Sequence, residues 1–154
     1  MKVFLEEARE ELKRADHLIY VSLKYTRTVD VINSIIERFI SCLDFVIDKL
    51  LDHALETKLI AEKPTNLGLR ANLVKKVYGD KVAEMVALYL LMRKISRAEY
   101  KKSSEYRRHV TMTATTDEGI HLIDIDKSKE LFFKVKQFVE DAEKLIGGEQ
   151  EEEQ

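Results

Sequence analysis

Apolar residues recur at helical spacing through most of the chain. From Val3 to about Tyr25 they fall three and four positions apart, and a longer pattern runs from about Thr28 to Leu55 without Gly or Pro. Such patterns predict amphipathic helices with one face turned to a core. Thr28 offers an N-cap oxygen for the second helix. The apolar set of that helix is broad enough to face two neighbours at once.

Three further helices are predicted downstream. The first covers Leu67–Tyr78. The second runs from Lys81 to about Arg97, has Asp80 as its cap and is apolar nearly all round in its middle, which is typical of a core helix. The last follows an N-cap at Asp126 and carries a heptad-like apolar stripe.

The periodicity changes between the last two helices. Residues 110–115 and 120–125 alternate along the chain, and the turn 116–119 separates them, which predicts a β-hairpin. The expected fold is therefore mainly α, an up-and-down helical bundle with one β-hairpin inserted before the last helix. This single domain spans residues 1–146. Residues 147–154 contain four acids and no apolar side chain, so we expect a disordered acidic tail.

Composition excludes several classes of protein. The formal net charge is −2, and residues 1–146, without the four acids of the tail, carry +2. The net charge therefore does not indicate what kind of partner the protein binds. A single Cys excludes an internal disulfide framework and a thiolate zinc site. No apolar run reaches the roughly 18 to 20 residues of a membrane span, and the N-terminus carries no signal segment. A cytoplasmic protein without a cofactor, and with a Lys/Glu/Arg-rich, thermophile-like composition, is expected.

The most informative segment is 93–109. Its seven Lys and Arg residues and two Glu residues give it +5, and Tyr100 and Tyr106 lie among them. Clustered cations bind phosphates and aromatic rings stack on unpaired bases, so the segment is a candidate RNA-binding surface. The alternative is a solvated helix end whose cations complement the helix dipole. The candidate binding residues are Arg93, Arg97, Lys101, Lys102, Tyr106, Arg107 and Arg108.

His109 closes this segment and is the candidate catalytic residue. A His beside a cation is suited to proton transfer at a phosphate, with Lys102 or Arg107 holding the developing negative charge. Arg107 and His109 share a face only if the chain is extended from Arg107 onward. On a helix, the side chains of residues two positions apart point about 200° apart. Catalysis therefore requires an extended conformation that begins by Arg107.

No metal site is expected. Neither His17 nor His53 has a second His or Cys three or four residues away, which is the spacing that metal ligation on a helix needs. Asp44, Asp48 and Asp52 line one face of the second helix. A solvated acidic stripe is the preferred interpretation of these three carboxylates.

The layout resembles the HEPN domains, helical bundles found in prokaryotic and archaeal toxins, RNases and RNA-associated proteins. The resemblance covers about residues 4–146. It rests on the long helix pair, the apolar fourth helix, the junction Tyr106-Arg107-Arg108-His109 and the closing helix with Leu131-Phe132-Phe133-Lys134-Val135.

This resemblance implies an RNA-related function. Family members that cut RNA do so without metal, using an Arg, four to six intervening residues and a His, commonly at a dimer interface. Here positions 102–104, which lie at that distance before His109, are Lys102, Ser103 and Ser104. Lysine cannot make the bidentate phosphate contact of arginine. The resemblance therefore implies RNA association more than cleavage.

Three functions remain open on the sequence. The protein is an HEPN-like RNA-binding protein without efficient catalysis, or a structural bundle that acts as an assembly subunit with a protein partner, or a metal-independent endoribonuclease. We also expect a homodimer, because a bundle of this size could leave the broad apolar face of the second helix uncovered and C2 pairing would bury it.

Overall fold

The computed structural model describes residues 2–148, and it is 69% helical, which confirms the mainly α class. The predicted acidic tail lies outside the described residues from position 149 onward. The helices are α1 (Glu6–His17), α2 (Leu23–Tyr25), α3 (Val29–Glu56), α4 (Leu67–Tyr78), α5 (Asp80–Arg97) and α6 (Ile125–Gly147). The strands are β1 (Tyr100–Ser103), β2 (Thr111–Thr116) and β3 (Gly119–Ile123).

The first predicted helix is one continuous rod with an irregular middle. A π-helical segment, Leu18–Ser22, joins α1 to α2. A π-helix bonds each N–H to a carbonyl five residues back, so it widens the helix locally and is less stable than the α form. Such segments recur at functional sites, and this one lies beside the candidate interface described below.

The helix α3 forms the centre of the bundle and packs against α1, α4, α5 and α6. With 28 residues it extends about 42 Å. The rod of α1 and α2, then α3, α5 and α6 alternate in direction, and the short helix α4 packs against α3 and α5. The sheet caps one end of the core through Met112, Ala114 and Ile123, all buried.

The structure corrects the argument for a homodimer through α3. Its apolar face is not left uncovered, because the neighbouring helices of the same chain bury it almost completely. The buried residues of α3 are Val29, Ile32, Ile35, Ile36, Phe39, Cys42, Leu43, Val46, Ile47, Leu50, Leu51 and Ala54. A second copy is therefore not needed to complete this core.

The helix ends follow local sequence signals with two corrections, of which the first is that Asp80 does not cap α5: Gly79 holds the N-cap position and Asp80 is the first residue of the helix. The Thr28 hydroxyl caps α3 by accepting from Val31 N–H at 3.3 Å, as predicted. Gly79, with a φ of 65°, ends α4 in a conformation that favours glycine. The predicted cap of the last helix, Asp126, is wrong, since Asp124 accepts from the N–H of Lys127 at 2.8 Å and α6 starts two residues earlier.

The sheet has three antiparallel strands in the order β1-β2-β3 rather than the two of the predicted hairpin. The additional strand β1 lies within the basic segment, and Lys101 pairs with Thr113 of β2. On the other side of β2, Thr113 pairs with Leu122 of β3. Residues 100–103 are thus strand where the sequence analysis placed none.

The acidic stripe of α3 (Asp44, Asp48 and Asp52) is not simply solvated. The ammonium group of Lys63 donates to Asp48 at 2.7 Å and to Asp52 at 2.6 Å, and the guanidinium of Arg70 also donates to Asp48. Partial burial by itself would raise the pKa of Asp48, but the bonds from Lys63 and Arg70 lower it below its usual value. These ion pairs attach α4 and the connection before it to α3.

A buried carboxylate joins the beginning and the end of the described chain. Glu143, near the end of α6, is 8% exposed. It accepts hydrogen bonds from the backbone N–H of Leu5 at 2.9 Å and from Arg9 Nε at 2.7 Å and Nη2 at 2.5 Å. Because Leu5 directly precedes α1, this contact fixes α1 and α6 to each other at one end of the bundle.

Candidate nucleic-acid interface

The loop between β1 and β2 (residues 104–110) is attached to the beginning of α3. The carboxylate of Glu105 accepts from Val29 N–H at 2.9 Å, and Tyr106 N–H donates to the carbonyl of Arg27 at 2.6 Å. The backbone of Ser104 and Tyr106 has φ values of 55° and 66°, which residues other than glycine rarely adopt. Such conformations persist only where surrounding contacts enforce them, and they concentrate at functional sites.

A cleft of about 380 Å³ opens between this loop and the N-terminus of α6. A second cleft of about 240 Å³ adjoins it along the π-helical segment, and Arg27, Ile125 and Lys129 line both. We call the two together the basic cleft. Its cationic residues are Lys24, Arg27, Arg108 and Lys129, with His109 beside them, and its acids are Asp124 and Asp126.

The balance of charge in the basic cleft is positive. Four Lys and Arg residues against two acids leave +2, with His109 counted as neutral. One of the acids, Asp124, already accepts the backbone bond that caps α6. The N-terminus of α6 adds the positive end of a 23-residue helix dipole. An anionic group therefore meets a favourable potential here.

Arg27 links the two parts of the basic cleft. Its Nε is buried and has no hydrogen-bond acceptor among residues 2–148. A buried donor left without an acceptor costs about 1–3 kcal/mol. A phosphate oxygen that reached Nε from the cleft would supply the missing acceptor.

Three tyrosines lie in the basic cleft or near it in the chain: Tyr20 lines the cleft, Tyr25 follows Lys24, and Tyr106 is in the loop that carries Arg108. Tyr25 and Tyr106 are exposed and Tyr20 is partly exposed. The ammonium groups of Lys129 and Lys24 lie 5.5 Å and 6.0 Å from the ring centres of Tyr20 and Tyr25. Cations beside exposed rings are the combination that binds phosphates and stacks bases in single-stranded nucleic acids.

The remaining predicted binding residues lie elsewhere. Arg93 and Arg97 line another cleft, of about 440 Å³, together with Lys94. The guanidinium of Arg93 lies 5.6 Å from the ring centre of Tyr89, whose hydroxyl donates to Asp44. Burial raises the pKa of Asp44 above its usual value, although the bond from Tyr89 opposes the shift. Arg93 thus lies beside the contact between Tyr89 of α5 and Asp44 of α3.

The two lysines of β1 are also separated from the basic cleft's lining. Lys101 is exposed on the strand. The ammonium of Lys102 lies 3.1 Å from the carboxylate of Asp30, and this hydrogen bond raises the pKa of Lys102. Lys102 therefore already has an anionic partner, and Arg108 and His109 are the only residues of the basic segment that line the basic cleft.

The conformation that catalysis requires is not observed. Residues 104–109 form turns, and β2 begins only at Thr111. The N–H of Arg107 donates to Ser104 and its carbonyl accepts from Val110, both at 3.1 Å. The loop therefore lacks the extended conformation that would place Arg107 and His109 on one face.

A second, smaller basic spot, formed by Lys75 and Lys76 in the last turn of α4, does not extend the interface. The hydroxyl of the nearby Tyr78 donates to the carbonyl of Leu50 at 2.9 Å, in the second half of α3. Leu50 lies 21 residues beyond Val29, or about 30 Å along the helix. The two basic spots thus occupy opposite ends of the bundle.

Sequence reasoning missed three cations of the basic cleft. Lys24 lies on α2, Arg27 in the connection before α3, and Lys129 on α6. Because they come from separate elements, no local cluster in the sequence marks them.

Within residues 2–148 no three His, Cys, Asp or Glu side chains are arranged to hold a metal ion. In the same range, no helix is long and apolar enough to cross a membrane.

Comparisons of the chain with models of protein families, with curated proteins and with solved structures found no match.

Proposed function

We propose that the protein binds cytoplasmic RNA at the basic cleft, and that it does so without efficient cleavage. The observation that carries the proposal is the convergence of Lys24, Arg27, Arg108 and Lys129 from separate parts of the chain on two adjoining clefts. A phosphate backbone requires several cations on one surface, and the buried Nε of Arg27 lacks an acceptor of its own.

The exposed tyrosines favour an unpaired strand as the ligand. Bases of a duplex are stacked on one another, whereas unpaired bases are free to stack on Tyr20, Tyr25 and Tyr106. Each such contact is worth about 1–3 kcal/mol. The resemblance to HEPN domains favours RNA over DNA as the nucleic acid that is bound.

Replacing Arg108 or Lys129 by alanine should weaken the binding of single-stranded RNA and reduce its salt dependence. With four phosphate contacts, the slope of log K against log [salt] should be about −3, and each lost contact should flatten it by about 0.7. Fluorescence anisotropy of a labelled mixed-sequence RNA at several salt concentrations measures both quantities.

The controls are Arg97→Ala, on α5, and Lys75→Ala, at the other end of the bundle. Both remove one charge and leave the basic cleft intact, so both should bind like the parent. Equal weakening by Arg97→Ala and Arg108→Ala would show that net charge, and not the basic cleft, determines binding. Absence of RNA binding by the parent would refute the proposed function.

Single-stranded RNA should stay intact when it is incubated with the protein in the presence of a chelator. The reason is that Lys102 is paired with Asp30 and that turns separate Arg107 from His109, so neither of the two cations predicted to act with His109 is aligned with it. The sample is compared with His109→Ala by denaturing gel. Cleavage by the parent and not by His109→Ala would instead identify a ribonuclease.

A further inference from the structure

One edge of the sheet is protected against strand pairing and the other is not. The order β1-β2-β3 leaves β1 and β3 at the edges. The strand β1 carries Lys101 and Lys102, whereas β3 has the sequence Gly-Ile-His-Leu-Ile without a Lys, Arg, Asp or Glu. Lysines on an edge strand discourage the addition of a further strand. The β3 edge has no such protection.

One hydrogen bond shows which way the β3 backbone faces. Thr115 N–H donates to the carbonyl of Glu99 at 3.4 Å, so the Thr115 backbone faces the β1 side. Ile120 is opposite Thr115 in the register of β2 and β3. Opposed residues of an antiparallel pair turn their backbone groups both inward or both outward. The N–H and C=O of Ile120 therefore face the free edge, as do those of Leu122 two residues on.

The side chains at these positions are unusually exposed for their type. Ile120 is 70% exposed and Leu122 is 62% exposed, and both lie on the outer face of the sheet. Among the described residues, neither backbone makes a hydrogen bond outside the sheet. The edge thus offers unpaired backbone groups and two apolar side chains together.

We propose that β3 pairs antiparallel with β3 of a second copy of this chain, about a two-fold axis at His121. In this register Ile120 of each copy is opposite Leu122 of the other. The outward backbone groups then form two hydrogen-bonded pairs, and four apolar side chains meet on one face. The sheet grows from three strands to six. This proposal does not depend on RNA binding.

The sequence of β3 favours its own copy as the partner. A neutral strand with apolar residues two positions apart pairs best with an equally neutral strand of the same spacing. Pairing with β1 of another copy would instead place Lys101 and Lys102 against Ile120 and Leu122. The ring of His121 hydrogen-bonds the Thr116 hydroxyl at 2.9 Å, so it is held within its own hairpin.

The first test is the mass of the full chain by sedimentation equilibrium over a wide range of concentration. A five-residue strand buries less than the roughly 1,200–2,000 Å² of a stable interface, so the dimer should form only at high concentration. Leu122→Lys should remain monomeric. Leu59→Lys, at a position 60% exposed in the connection between α3 and α4, should dimerise like the parent.

The second test is amide hydrogen exchange of the unsubstituted chain, which does not depend on any variant folding. Exchange at Ile120 and Leu122 should slow as the concentration rises. Exchange at Lys102, whose amide faces the free edge of β1 by the same alternation, should not change. A monomeric mass at the highest concentration, a dimer that Leu122→Lys retains, or protection at Lys102 instead would each overturn the proposal.

Discussion

Replacing Phe39 by alanine is expected to lower the free energy of unfolding by about 3–5 kcal/mol, the usual cost of truncating a buried aromatic residue. Phe39 is fully buried near the middle of α3. Because α3 is surrounded by α1, α4, α5 and α6, these helices cannot close the void without giving up contacts of their own. Urea denaturation followed by circular dichroism measures the loss.

Phe133→Ala is the matched control for this substitution. Phe133 lies on α6 with 61% of its surface exposed, so its truncation removes little buried area. We expect a change within about 0.5 kcal/mol, as for most surface substitutions. Equal losses for the two variants would contradict the central position of α3.

Replacing Glu143 by alanine is expected to cost about 2 kcal/mol. The change leaves the N–H of Leu5 and the guanidinium of Arg9 without their shared acceptor. Breaking a fully buried ion pair costs about 3–5 kcal/mol, but the side chain of Arg9 is 36% exposed and water compensates part of the loss. The same denaturation experiment measures the effect.

Glu10→Ala provides the comparison for Glu143. Glu10 pairs with Lys13 at 3.4 Å, and both side chains are well exposed, so its removal should change the stability by less than about 0.5 kcal/mol. Glu143→Gln keeps an acceptor and should lie between the two variants. If Glu143→Ala were as mild as Glu10→Ala, the buried carboxylate would not join α1 and α6 as described.

The helices were predictable because their signals are local. The spacing of apolar residues, the hydroxyl of Thr28 and the glycine at position 79 act within a few residues of the helix ends that they determine. The start of α6 shows the limit of this reasoning. Asp124 and Asp126 are equally good caps in the sequence, and the alternation of residues 120–125 had assigned Ile125 to a strand.

The features that were missed depend on partners far away in the chain. The strand β1 has two adjacent lysines and no alternation, and it exists because β2 pairs with it. The aspartates of α3 seemed solvated because Lys63 and Arg70 lie in other elements. The basic cleft likewise needs single cations from three parts of the chain, which no pattern in the sequence connects.

The contact between Leu5 and Glu143 also determines where a tag, a linker or a fused domain can be attached without covering the basic cleft. It joins residues 138 positions apart at the end of the bundle remote from the basic cleft. Fourteen residues of α6 separate Glu143 from Lys129, which is about 21 Å. A tag, a surface linker or a fused domain at either end of the described chain therefore stands clear of the cleft. A short linker between these ends would also permit circular permutation, with new termini in the connection between α3 and α4.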